Sequence, residues 1–117
     1  MSAKSTRVVS FEDGINIEGY GCRIKRLVHP QTLGSEHVAV SVAVAQPGQE
    51  IKSHHHAFEE AYFVARGRAR MRVGDEEFDV RAWDALVVPP NVEHWTLNTG
   101  DDELVLVCSL APPPPAK

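Results

Sequence analysis

The chain has 117 residues, 43% of them hydrophobic and 24% charged, with a formal net charge of −4; this profile implies one soluble globular domain around one core. The mild charge and the lack of a basic block argue against a nucleic-acid partner. No membrane association is expected: the longest apolar stretch, VAVSVAVA (38–45), falls far short of the ~20 residues a bilayer crossing takes.

In chain order, the start MSAKSTRVVSFEDG lacks the apolar core of a secretory signal, so a cytoplasmic chain is expected. Cys22 and Cys108 do not make a disulfide framework and are read as reduced thiols. HVAVSVAV sets Val38, Val40, Val42 and Val44 on one face of a strand and Ala39, Ser41 and Ala43 on the other. GRARMRV sets Ala69, Met71 and Val73 inward, and Arg68, Arg70 and Arg72 toward water. GDEE (74–77) turns the chain, and Phe78 and Val80 point inward after it. DALVVPP and VEHWTLN flank a Pro-Pro-Asn turn, NTGDD (98–102) turns again, and ELVLVCSL alternates. Roughly nine or ten short strands at this spacing predict an antiparallel sandwich or barrel, with no long helix. One domain is expected over residues 1–117, with a core over about 19–111 and an exposed polyproline II tail, APPPPAK, outside it.

The stretch SHHHAFEEAYFVARG (53–67) carries the chemistry. Alternate strand residues share a face and lie ~6.6 Å apart, so His54 and His56 point together and His55 points away. Glu60 has the same parity but would lie ~13 Å beyond His56 on a straight strand. It joins the histidines only if the chain reverses at 57–59, which would place it opposite them on a neighbouring strand. Both faces of the following strand are largely apolar, which predicts a buried strand. A glutamate leading into such a strand needs a partner, because an unpaired buried carboxylate is costly. A metal ion supplies one, whereas a mobile loop with chance histidines does not fit so apolar a flank. Of the remaining histidines, His29, His37 and His94, the last fits best on local grounds, sharing a strand face with Thr96 and Asn98.

With those residues in view, the chain resembles the cupin superfamily. Its first motif, G-x5-H-x-H-x3-E-x6-G, is matched by Gly48, His54, His56, Glu60 and Gly67. Its second, G-x5-P-x-G-x2-H-x3-N, is matched at Pro89, His94 and Asn98, while Trp83 and Asn91 occupy the two glycine positions. Asparagine visits left-handed backbone readily, but tryptophan there costs roughly 1–2 kcal/mol, so a different turn, or packing of Trp83 at an interface, is expected.

The resemblance implies an all-β double-stranded β-helix, or jelly-roll barrel, with His54, His56, Glu60 and His94 facing inward as ligands of one divalent transition metal. Nitrogen and oxygen ligation suits Fe(II), Mn(II), Ni(II), Co(II) or Zn(II). Relatives of this kind commonly pair as homodimers, which would cover exposed strand edges. The leading expectation is a small mononuclear metalloenzyme, dioxygenase-like or a lyase or isomerase, acting on a small polar metabolite. The alternative is a non-catalytic metal- or metabolite-binding module; a metal-independent epimerase fits less well, because such relatives usually lack the full ligand set. Tyr62, two residues after Glu60 as in the superfamily's dimethylsulfoniopropionate lyases, is the candidate general acid or base. Phe58, Val64, Met71, Leu86, Val88, Leu106 and Cys108 are expected around the pocket, with Asn98 as a helper and no inward arginine.

Overall fold

Alternation along short segments folds into ten antiparallel strands: β1 (Ile15–Ile17), β2 (Arg23–Val28), β3 (Ala39–Ala45), β4 (Glu50–His54), β5 (Glu59–Arg66), β6 (Arg68–Val73), β7 (Glu76–Arg81), β8 (Ala85–Val88), β9 (His94–Asn98) and β10 (Leu104–Ala111). The computed structural model describes residues 6–116; residues 1–5, within the stretch read as lacking a signal, and Lys117, at the end of the proline-rich tail, lie outside the described residues. A six-stranded sheet runs β1-β2-β3-β10-β5-β8 and a four-stranded sheet runs β4-β9-β6-β7. The inner faces enclose the core, as the jelly-roll expectation requires. A 3-10 turn, Phe11–Asp13, is the helical element among the described residues, and no helix is long and apolar enough to cross a membrane. The sheet begins at Ile15, ahead of the expected start near residue 19.

The core is built from one parity of each strand. Leu104 and Leu106 of β10, Met71 of β6, Val64 of β5 and Val88 of β8 are fully buried. On β3 the inward set is the small one, Ala39, Ser41, Ala43 and Ala45, while the valines are half-buried. Small side chains on a strand between β2 and β10 leave space above them, and Ser41 and Ala43 line the internal cavity. The arginine face of β6 lies outward as expected: Arg70 pairs with Glu77 at 3.2 Å and Asp79 at 3.3 Å, and Arg72 lies over Trp95.

Three local expectations are corrected. β5 is buried on one face rather than both: Glu60, Tyr62 and Val64 point in, while Ala61 and Ala65 are exposed on the outside of the sheet. Trp83 does adopt the backbone of the glycine it replaces, with φ 80°, as Asn91 does with φ 63°. Trp83 is held there by hydrogen bonds on either side, its N–H to the Val64 carbonyl and the Val64 N–H to the Asp84 carbonyl. Gly67, between β5 and β6, leaves no room for a Cβ, since one would lie 2.6 Å from the Glu103 carbonyl oxygen. Finally, the proline tail is not free of the barrel. Pro113 and Pro114 are half-buried, and the Pro114 carbonyl accepts a 2.7 Å hydrogen bond from Nε2 of the buried His29.

Candidate metal centre

His54 ends β4 and His94 begins β9, directly paired in register on the four-stranded sheet. The chain crosses to the other sheet through residues 55–58, carrying His56, and Glu60 follows on β5. Glu60 therefore meets the histidines across the barrel, not from a neighbouring strand of the same sheet. One ligand atom from each of His54, His56, Glu60 and His94 lies within 4.8 Å of all the others. His55 points outward as expected, its Nδ1 3.8 Å from Glu93.

The ring orientations are fixed by the backbone. Nδ1 of His54 faces the Lys52 carbonyl at 2.6 Å, that of His56 the Phe58 carbonyl at 3.1 Å, and that of His94 the Val92 carbonyl at 2.9 Å. A carbonyl only accepts, so each Nδ1 carries a proton and each Nε2 is left to face the centre. This is the outer-shell arrangement that orients imidazole ligands on a metal. Glu60 Oε1 lies 3.0 Å from His56 Nε2 and 3.3 Å from His94 Nε2. The second approach lacks hydrogen-bond geometry, so His94 Nε2 is a buried nitrogen with no hydrogen-bond partner. A buried polar atom without a partner is rare and needs an explanation; a cation at the centre of the four ligands supplies it.

The charges agree with that reading. Burial opposes ionisation of Glu60, but the adjoining His56 and His94 rings outweigh it and hold the carboxyl below its usual range. Burial also opposes charging of His56, yet the Glu60 carboxylate prevails and raises its pKa. For His54 burial wins and the imidazole is held neutral. The site is thus a carboxylate with a proton held beside it, where a metal ion would replace the proton.

A cavity of about 100 Å³ opens onto His54, His56 and Glu60. Tyr62 and Cys108 line it as expected, and Phe58 stacks on the His56 ring at 3.9 Å. Burial and the Glu60 charge push the Tyr62 phenol well above its usual pKa, and burial does the same to the Cys108 thiol. Both cysteines are free thiols. Met71, Leu106, Val64 and Val88 pack in the buried core and are absent from the cavity lining. Asn98 is also taken up elsewhere: its Nδ2 donates to the carbonyls of Ala45 and Asp102, each at 2.9 Å. The expectation of no inward arginine is overturned by Arg26, which is 7% exposed and lines the cavity together with Tyr20 and Pro114. The signal was present in RIKRLV, where Arg26 shares the parity of Ile24.

Residues 41–110 match the family model of the cupin domain. Protein SchB of Streptomyces halstedii is 32% identical over 96% of this chain and 82% of its own length. The polyketide synthase CurC of Streptomyces cyaneus is 31% identical over 79% of this chain and 60% of its own length. Among solved structures, the Mn(II)-containing oxalate decarboxylase of Bacillus subtilis superposes with a TM-score of 0.80 at 24% identity, covering 91% of this chain and 30% of that one. The family match spans all four convergent residues, and with it the chain belongs to the cupin family.

Proposed function

We propose that this cupin is a mononuclear metalloenzyme acting on a small polar metabolite that bears a carboxylate, carbonyl or enol oxygen. One observation carries the reading: three backbone-oriented Nε2 atoms, one of them buried without a partner, converge with a carboxylate beside a cavity. His54, His56, Glu60 and His94 would hold one Fe(II), Mn(II), Ni(II), Co(II) or Zn(II) ion, for which this donor set is suited. Such an ion supplies Lewis acidity and, when redox-active, electrons for oxygen chemistry. Phe58 stacks on the His56 ring, and the cavity is lined mostly by apolar side chains. Tyr62 is the candidate catalytic side chain. Its phenol stays protonated at neutral pH, so it serves as a donor of a hydrogen bond or proton to a substrate oxygen rather than as a base.

CurC carries a polyketide synthase name and the structural relative acts as an oxalate decarboxylase. A cavity of about 100 Å³ with Pro114 in its wall favours the smaller kind of substrate. Dioxygen-dependent turnover is the first reaction class to test, and lyase or isomerase chemistry the second. The experiment loads the metal-free protein with iron, manganese, nickel or zinc and offers keto acids, diketones, thiols and sulfonium compounds. Consumption under the redox-active metals but not zinc supports oxygen chemistry, and turnover that survives zinc supports Lewis-acid chemistry. Tight binding with no turnover under any metal replaces the enzyme by a non-catalytic binding module.

For assembly we infer a homodimer. Trp83, 82% exposed and edge-on to Phe63, lies near Val87, 54% exposed, on the edge strand β8. An apolar sheet edge of this kind favours a second copy of the chain. Light scattering at micromolar concentration tests it, and a monomer mass overturns it. The free thiols suit the reducing cytoplasm, where we place the protein.

A further inference from the structure

Two adjacent cations of β2 are buried, and they face different surroundings. Lys25, 6% exposed, donates from Nζ to the carbonyls of Glu12 at 3.1 Å and Gly14 at 3.4 Å, over the ring of Phe11. Arg26, 7% exposed, turns the other way, between Ile15 of β1 and Ser41 of β3, and lines the cavity beside His54, His56 and Glu60. Its Nη1 donates to the neutral Gln31 Oε1 at 2.7 Å. No carboxylate among the described residues pairs with it. Glu60, the one acid among the residues lining the cavity, is already engaged by His56. A guanidinium carries five N–H donors in a planar fork that matches a carboxylate. Burying such a group without an anion costs stability, so its place in the fold calls for a ligand.

We propose that Arg26 is the anion anchor of this cavity, binding the carboxylate of a compact organic acid whose remaining oxygen atoms reach the metal group. The assignment rests on the metalloenzyme reading for the second end of the ligand and not for the first. The rest of the cavity lining is largely apolar, with Ile17, Ile24, Ile51 and Leu110, and Ser41 and Tyr20 add hydroxyls to it. That lining selects a short-chain monocarboxylate carrying a keto, hydroxy or enol oxygen. It disfavours amines, for which no free acid is present in the wall, and nucleotides, which exceed about 100 Å³.

The test uses calorimetry on the full chain, metal-free and zinc-loaded, with pyruvate, glycolate and acetate, and with pyruvamide and acetamide as neutral analogues. Wild-type protein is expected to bind at least one carboxylate and to prefer it over its amide. Arg26→Met should weaken carboxylate binding by about tenfold or more, the range for loss of a charged hydrogen bond, and leave zinc content unchanged. Arg26→Lys should retain part of the affinity, since it keeps the charge but loses the fork. Thermal unfolding guards against a folding defect: without ligand, Arg26→Met should melt no lower than wild type, because it removes an unpaired buried charge. Carboxylates should raise the melting temperature of wild type and not of the variant. Equal carboxylate affinity in wild type and Arg26→Met overturns the assignment, as does failure of wild type to bind any of the acids at millimolar concentration. Arg26-dependent binding in protein that takes up no metal would leave the anchor standing and sink the metalloenzyme reading, so the two fail separately.

Discussion

The centre depends on which ring nitrogen each histidine presents, and that is set by three main-chain carbonyls rather than by the ligands themselves. Replacing His54 by alanine removes one of four ligands and should weaken divalent-metal affinity by at least about a hundredfold, more than loss of an outer-shell partner does. His55→Ala should leave it within about twofold, since His55 faces Glu93 on the outside and the change lies outside the ligand set. Competition titration against a chelator reads both, and equal losses would contradict the assignment. The grouping of these residues was legible in the spacing His54-x-His56-x3-Glu60, although His56 lies beyond the end of β4, on the crossing, where strand parity no longer decides its direction. Arg26 carried a signal in its parity with Ile24, but a charged residue at an inward position runs against the binary pattern that parity reading relies on. Trp83 was half legible: its place in the motif was clear, but its positive φ goes with a pair of hydrogen bonds that tie Trp83 and Asp84 to Val64, nineteen or twenty positions away in sequence.

At the level of elements, the turn from β9 to β10 is closed by Asn98, which is 2% exposed. Besides donating to Ala45 and Asp102, it accepts a 2.9 Å hydrogen bond from the Gly100 N–H through Oδ1. Asn98→Ala strands a buried carbonyl of β3 and opens the turn, a loss of about 2–4 kcal/mol. The expected result is a melting temperature lower by roughly 10 °C, with metal affinity preserved in the folded fraction. If instead stability holds and ligand binding drops, Asn98 belongs to the cavity. The strand pattern and turns were readable because each closes locally, whereas the tail was misread because its partner, His29, is 85 positions away. Deleting residues 112–117 removes that carbonyl and one wall of the cavity. A single hydrogen bond contributes about 1 kcal/mol net, so the truncated chain should still fold, melting only a few degrees lower. Carboxylate association should become faster and larger acids should be admitted. Stopped-flow binding measures this, and unchanged rates would mean that the tail does not gate entry.

For the whole molecule, the four ligands do more than bind an ion, because they come from both sheets. His54 and His94 belong to the four-stranded sheet and Glu60 to the six-stranded one, with His56 on the crossing between them. A metal ion would therefore cross-link the two halves of the barrel. Glu60 is hydrogen-bonded to His56, and among the described residues His94 Nε2 is buried without a hydrogen-bond partner. Any ligand that binds the folded state alone stabilises it by mass action, by about 4 kcal/mol when present at a thousandfold excess over its dissociation constant. For a chain of this length that corresponds to a rise of roughly 10–15 °C in melting temperature. Protein stripped by chelator should melt lower by that amount and recover when zinc, which is inert to redox chemistry, is restored. His94→Ala should melt at a temperature insensitive to zinc, because the ion loses its deepest ligand and the buried nitrogen is gone with it. A wild-type melting curve that zinc does not move would mean that the four side chains meet without holding an ion, and the barrel would then have to be held by its apolar core alone.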